Sequence, residues 1–320
     1  MKTTLFKTLG ACSLLLLVTG CSNSIPLISA PPDKNVLTGV PGKNGEVLAV
    51  KIDDTLPAHP QIGIGDADVI YIEQVEGGLT RLATIFSSKY PELIGPVRSA
   101  RISDLDILAQ YGKVAFAYSG AQTKFRPKIH DANLFDLGAE REPASIYSRD
   151  PNRTEPTNLI LHAPALLEKT ASEGKIIEKV KPVGWEFGDM PSGGELITSA
   201  TVRWPASRYT FNWSTSEKRW LIDYLDKPDL DANGLQLGSK TILIQLVSIT
   251  DSGVINASPF IFANSTLFST KLRTEYVIPV SGEYYQTWSN TAGDTVFSDG
   301  VYQPGYNGHD YSTVEYYNGA

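Results

Sequence analysis

The sequence predicts a two-part α+β / α/β protein: an N-terminal α/β domain over residues 46–186, followed by a mainly β domain over residues 187–320. Three observations predict it. Short β-rich runs bounded by Gly, Pro or Asp alternate with helix-like periodicity through the first half. A Gly- and Pro-rich junction, GWEFGDMPSGGE, then interrupts the pattern, and strand signals dominate afterwards. The chain of 320 residues, 42% of them hydrophobic, is also long enough for two domains.

The N-terminus, MKTTLFKTLGACSLLLLVTGC, places Lys2 and Lys7 ahead of an apolar run from Leu9 to Val18. This basic-then-apolar order is that of a secretory leader, and the run is short for a membrane span. It closes on Val18-Thr19-Gly20-Cys21, which resembles the lipobox of bacterial lipoproteins. Residues 1–20 are therefore expected to be a signal peptide, and Cys21 the acylated first residue of a mature chain held at the extracytoplasmic face of the cell membrane. A single acyl chain binds weakly, so the full set of chains on such a cysteine, with diacylglycerol on the thiol and palmitate expected among them, makes a stable anchor.

Both cysteines, Cys12 and Cys21, fall in this segment, which leaves the mature domain without a thiol for a disulfide, a zinc site or a nucleophile. Loss of Lys2 and Lys7 moves the formal charge from −7 to −9. An acidic chain is a poor match for nucleic acid or for a polybasic grip on lipid headgroups. No metal or cofactor motif is present, so none is expected. Residues 21–45, rich in Pro, Gly, Ser and Asn, are expected to form a flexible tether.

In chain order, VLAVKID from Val47, ADVIYIEQV from Ala67 and RLATIF from Arg81 read as strands. Gly77-Gly78 between the second and third is a hairpin signal, expected to set Glu76 opposite Thr80 with Arg81 beside them. Gly63-Ile64-Gly65 resembles a phosphate loop only superficially, since a strand rather than a helix follows it. ISDLDILAQY has Ile102, Leu105, Leu108 and Ala109 on one helical face, with Ser99 placed to cap it and Asp104 and Asp106 in its first turns. KVAFAYSG reads as a buried strand, and His162 to Ser172 as a helix with Pro164 in its first turn. In the second half, RYTFNWSTSEKRWLIDY is a hairpin with Tyr209, Phe211 and Trp213 on one face and Trp220, Ile222 and Tyr224 on another. TILIQLVSI, apolar on both faces, is expected to be a central strand. The Tyr-rich tail gives only short strands and loops.

Most of the interesting polar residues lie between Glu73 and Arg101, in EQVEGGLTR and GPVRSAR. Arg98 and Arg101 stand at the start of a helix, an end where cations are unfavourable unless they have anionic partners. Those partners are either internal acids, Glu73, Glu76, Asp104 or Asp106, or an external carboxylate or phosphate. The candidate anion site is Glu76, Arg81, Arg98 and Arg101. Its expected ligand is an anionic cell-wall polymer, a peptide or an envelope protein, in a binding or scaffolding role. The alternative is a cell-envelope hydrolase or transferase acting on peptidoglycan or a related glycopolymer, with Glu73 or Glu76 as acid or base. Among the histidines, His59, His130, His162 and His309, the best acid/base candidate is His130 beside Asp131, and no metalloprotease or nucleophile motif surrounds any of them. The five tryptophans suggest sugar stacking or, more simply, sheet packing.

Taken together, the lipobox, KIDDTLPAHPQIGIGDADVIYIEQVEGGLTRL, GPVRSAR, and RYTFNW through GLQLGSKTILIQ resemble the YerB-like lipoproteins, a family with paired N- and C-terminal domains and no settled function. The resemblance implies that Glu76, Gly77, Gly78, Arg81, Gly95, Arg98 and Arg101 are hallmark positions, and it implies no reaction. This chain departs from the family pattern at Asp54, where Asn is common, at Thr157-Asn158, where a His-Asn pair is common, and beyond Tyr284.

Overall fold

The computed structural model describes residues 33–184, 187 and 196–245, together with the backbone of strands at 263–265, 274–277, 285–289, 295–298 and 313–317. The leader, Cys21 and Trp185 lie outside the described residues.

In the first half, β1 (Leu48–Asp53), β2 (Val69–Gln74) and β3 (Thr80–Phe86) are the three strands expected there. A two-residue strand β4 (Leu93–Ile94) leads to α1 (Ile102–Ala109), β5 (Val114–Ala117), α2 (Arg126–Asp131) and β6 (Leu134–Asp136). Strands β7 (Tyr147–Arg149) and β8 (Leu159–His162) precede α3 (Ala163–Ser172). The second half is all β: β9 (Ser199–Trp204), β10 (Ser207–Ser214), β11 (Arg219–Tyr224), β12 (Lys227–Pro228), β13 (Gly238–Ser239), β14 (Thr241–Leu243) and β15 (Ala263–Ser265), then β16 (Thr274–Val277), β17 (Tyr285–Ser289), β18 (Thr295–Ser298) and β19 (Thr313–Tyr317). The fold is thus an α/β part followed by a mainly β part, as the sequence predicts.

The principal sheet has seven strands in the order β14-β15-β2-β3-β1-β5-β6. β3 runs antiparallel to both β1 and β2, whereas β5 is parallel to β1 and β6 to β5. The C-terminal ends of β1, β2, β5 and β6 and the N-terminal end of β3 therefore share one edge. Strand periodicity sorts the side chains into two layers. Leu48, Val50 and Ile52 join Ile72, Leu82 and Phe86 on one face, under Leu166 of α3 and Tyr209, Phe211, Ile222 and Tyr224 of the second half. On the other face, Ala49, Tyr71, Ala83 and Ile85 pack under Ile107 and Leu108 of α1 and Ile129 of α2.

Four details differ from the sequence reading. The stretch at residues 33–45 is folded rather than a tether: Asn35 and Leu37 are buried, and the Asn35 amide donates to Ser87 Oγ at 2.9 Å and to the Lys43 carbonyl at 2.7 Å. Its Pro and Gly content serves a compact turn. The N-cap of α1 is Arg101, not Ser99, because the Asp104 carboxylate accepts the Arg101 backbone N–H at 2.6 Å. The register of β10 on β11 pairs Tyr209 with Tyr224, Phe211 with Ile222 and Trp213 with Trp220. All six therefore share one face, since directly opposed residues of an antiparallel pair point the same way. Finally, β14 is the edge strand of the seven-stranded sheet instead of a central one.

Candidate functional site

The face of the principal sheet that carries α1 is apolar in its middle and charged at the shared edge. Alternation along β1 brings Lys51 and Asp53 to the face of Ala49; along β2 it brings Glu73 to the face of Tyr71; along β3 it brings Arg81 to the face of Ala83. Residues 95–101 are wedged between the ends of β1 and β5. Asp53 N–H donates to the Pro96 carbonyl and Arg98 N–H to the Lys51 carbonyl on one side, while Ser119 N–H donates to the Arg98 carbonyl and Ala100 N–H to the Gly120 carbonyl on the other. Loops at the carboxyl ends of parallel strands are where open α/β sheets place ligands. GPVRSAR occupies that position.

The charges divide into two tiers. In the inner tier, Lys51, Glu73 and Asp104 are wholly buried: the Lys51 ammonium contacts Glu73 Oε1 and lies 2.8 Å from Asp104 Oδ1. Ser103, also buried, donates to the other Glu73 oxygen. Burial pushes the Lys51 ammonium down to about 8 although Asp104 opposes it, so the group stays charged at neutral pH. Glu73 is enclosed in this way, with one oxygen turned to Lys51 and the other to Ser103. The inner tier is a structural brace.

The outer tier holds the four expected site residues. Arg98 Nε is 2.7 Å from Asp53 Oδ2, with about a quarter of the arginine side chain exposed. Arg101 Nη2 is 2.6 Å from Glu76 Oε2, its Nη1 donates to the Ala100 carbonyl at 2.8 Å, and its buried Nε has no hydrogen-bond partner among the described residues. Arg81 lies between Glu73 and Asp53 in the strand register, yet Glu73 is committed to Lys51 and Ser103, and Asp53 to Arg98. The Arg81 guanidinium donates to the Ser99 carbonyl at 3.1 Å, and among the described residues no carboxylate stands within ion-pair distance of it. Burial first, then Arg101, push Arg81 down to about 10; Glu76 offsets this and Arg98 adds to it. A guanidinium does not give up its proton in a protein, so the shift reports the cost of enclosing this charge, first by burial and then beside Arg101 and Arg98, which Glu76 and Asp53 only partly offset.

The Gly77-Gly78 turn that carries Glu76 is docked to the second half. Gly77 and Gly78 both have φ of +70°, and a Cβ on Gly78 would meet Pro205 at 2.5 Å. Ala206 N–H donates to the Gly78 carbonyl at 3.0 Å, and Thr80 Oγ1 to Ser207 Oγ at 2.8 Å. The register sets Gln74 opposite Thr80 and Glu73 opposite Arg81, so Glu76 belongs to the turn itself and does not face Thr80.

Other candidates fare differently. His130 is exposed beside Asp131 at 3.0 Å, on the surface end of α2, and among the described residues Asp131 is the one group it bonds. Asp106 is on α1 and makes no ion pair with the arginines among the described residues. Trp204 is buried, while Trp213 and Trp220 meet edge to face with centroids 5.4 Å apart, which favours sheet packing over sugar binding. A small cavity of about 20 Å³ lies beyond β5 and β6, lined by Tyr118, Arg126, Glu140 and Arg141 among others. Sequence reasoning missed Lys51 and Asp53. The alternation in VLAVKID, with two charges in phase with Ala49, was the signal.

A mixed sheet with an arginine-bearing loop at its carboxyl edge and a β-rich half docked beside it defines a two-part α/β-plus-β protein. Residues 37–176 match the family described as the N-terminal domain of a protein of unknown function, DUF3048. YerB of Bacillus subtilis (strain 168), which carries the name of a lipoprotein, is 44% identical over 54 residues, covering 17% of this chain and 16% of YerB. The aligned sequence thus spans about a sixth of that relative. The crystal structure of YerB from Bacillus subtilis shares the fold with a TM-score of 0.59 at 17% identity, over 83% of this chain and 93% of that one. Residues 37–176 therefore carry the N-terminal domain of that family, and most of the chain shares the fold of YerB.

Proposed function

We propose that the chain is an extracytoplasmic lipoprotein, anchored through Cys21, that holds an anionic group of a cell-wall polymer, peptide or envelope protein at Arg81, Arg98 and Arg101, with Glu76 orienting Arg101. The observation that carries this reading is Arg81: a partly buried guanidinium at the carboxyl edge of the sheet, between two other arginines, whose neighbouring carboxylates are engaged elsewhere. The lipobox and the kinship to a protein named as a lipoprotein support the envelope location. Arginine suits the task because its planar fork grips carboxylate and phosphate through paired N–H donors.

The test is binding of inorganic phosphate, acetate and a soluble peptidoglycan fragment to the full-length chain in detergent micelles, by calorimetry. Arg81→Met is expected to abolish binding of whichever probe the wild type takes, with an unchanged far-UV spectrum. Equal binding by wild type and Arg81→Met, or no binding of any probe, would overturn the assignment.

A further inference from the structure

His59 lies in the turn after β1, away from the arginines, and each of its ring nitrogens faces a carboxylate from a different part of the chain. Nδ1 is 2.8 Å from Asp229 Oδ1, and Nε2 is 3.3 Å from Asp54 Oδ1. The ring is stacked on Tyr224 of β11, with centroids 4.2 Å apart and planes 13° from parallel. Asp54 directly follows β1, whereas Asp229 directly follows β12 of the second half. Asp54 is wholly buried and also accepts hydrogen bonds from Thr80 Oγ1 and the Tyr209 hydroxyl, while its carbonyl accepts the Tyr224 hydroxyl at 2.7 Å.

A neutral imidazole has one N–H donor and would turn a lone pair toward one of the two carboxylates; only the imidazolium donates to both. We propose that His59, held as an imidazolium between Asp54 and Asp229, is a proton-dependent clasp that fastens the β-rich half to the carboxyl end of β1. The groups that face it are Asp54, Asp229, the phenols of Tyr209 and Tyr224, and the Gln61 amide, which stands 3.2 Å from Nε2 and also reaches Asp54; Asp223 acts on Asp229 from farther away. Among the described residues, no lysine or arginine forms an ion pair with Asp54 or Asp229, which leaves His59 as their counter-charge. Burial opposes the charged ring, but hydrogen bonds to Asp229 and Asp54 outweigh it and raise His59 to about 10. With both nitrogens engaged, the ring has no free position for general-base work.

The sign follows from linkage. A folded-state value above the ordinary 6.5 means that the contribution is full below about 6.5, declines above it and is lost as the pH rises through about 10. The test uses the full-length chain in detergent micelles, with ¹⁵N-labelled histidine rings followed by NMR and thermal unfolding recorded from pH 6 to 11. One of the four histidines is expected to remain an imidazolium at pH 8, with that signal absent in His59→Gln. The Tm gap between wild type and His59→Gln is expected to close between pH 6.5 and 10. Four histidines that all titrate near neutrality, or a gap that does not vary with pH, would overturn the clasp. Should His59→Gln fail to fold, Asp229→Asn replaces it: the His59 titration is expected to move toward neutrality, and an unmoved titration overturns the proposal.

Discussion

Lys51 Nζ stands 2.8 Å from Asp104 Oδ1 with neither side chain exposed, tying the middle of the sheet to the first turn of α1. Because Asp104 also accepts the Arg101 backbone N–H, the same carboxylate fixes the end of GPVRSAR. Replacing Lys51 with Met would leave Glu73 and Asp104 buried without a cation. Loss of one partner from a buried pair costs about 3–5 kcal/mol. Lys51→Met is therefore expected to lower the urea midpoint sharply, whereas the exposed pair Arg126–Glu140 is expected to be near neutral on Arg126→Ala in the same assay.

The glycine pair gives a sharper structural test. Gly77 and Gly78 share the same positive φ, but nothing lies within 4 Å of a Cβ on Gly77, whereas Pro205 blocks one on Gly78. Gly77→Ala is expected to cost about 1–2 kcal/mol of backbone strain alone. Gly78→Ala adds an overpacking term of about 1–3 kcal/mol and separates the turn from the β9–β10 connection. Chemical denaturation of the two variants should rank them in that order, and equal losses would show that the Pro205 contact carries no weight.

How far the sequence could lead is clear from these same residues. Strands β1, β2, β3 and β5 and the helices after GPVRSAR and His162 were legible, because period-2 and period-3.6 patterns with Gly and Pro boundaries are local signals, whereas β4, β6, β7 and β8, of two to four residues each, are too short to carry such a pattern. The clustering of Arg81, Arg98 and Arg101 was legible as well, since all three lie within about one hairpin and one turn of each other. The partners were not. That Glu73 belongs to Lys51 and Ser103, and Asp53 to Arg98, depends on which strands neighbour β1, and no spacing in the chain records the order β2-β3-β1-β5. His59 was passed over because its two carboxylates are 5 and 170 residues away. The folded segment at residues 33–45 was hidden by a composition that suits tethers and tight turns equally.

Anion binding at the arginines should depend on salt in a graded way. Screening lengths fall from about 30 Å at 0.01 M to about 3 Å at 1 M salt. The exposed part of Arg98 is open to that screening, while Arg81 and Arg101 are more enclosed. Affinity for the bound probe is expected to fall with added chloride but to persist at high salt in the wild type. Arg101→Gln, which also frees Glu76, is expected to weaken binding at every salt concentration. Affinity that vanishes entirely by 0.2 M salt would indicate a diffuse surface attraction.

Tyr209→Phe isolates the junction between the halves without altering any of the three charged groups of the clasp. The phenol donates to Asp54 Oδ1, and its ring is packed on Phe211 and Tyr224, so removing the hydroxyl keeps the shape and deletes one bond to a buried carboxylate. Hydrogen bonds to charged groups contribute about 1.5–3 kcal/mol. Asp54 retains Thr80 Oγ1, Gln61 and His59, which limits the loss to the low end of that range. Asp54 then depends more on the imidazolium, so the pH dependence of stability attributed to His59 should steepen in Tyr209→Phe. A double-mutant cycle of Tyr209→Phe with His59→Gln, read by denaturation at pH 7, is expected to show coupling above about 0.5 kcal/mol, the level that contacting residues reach and distant ones do not. Additive losses would mean that Asp54 does not link the two groups.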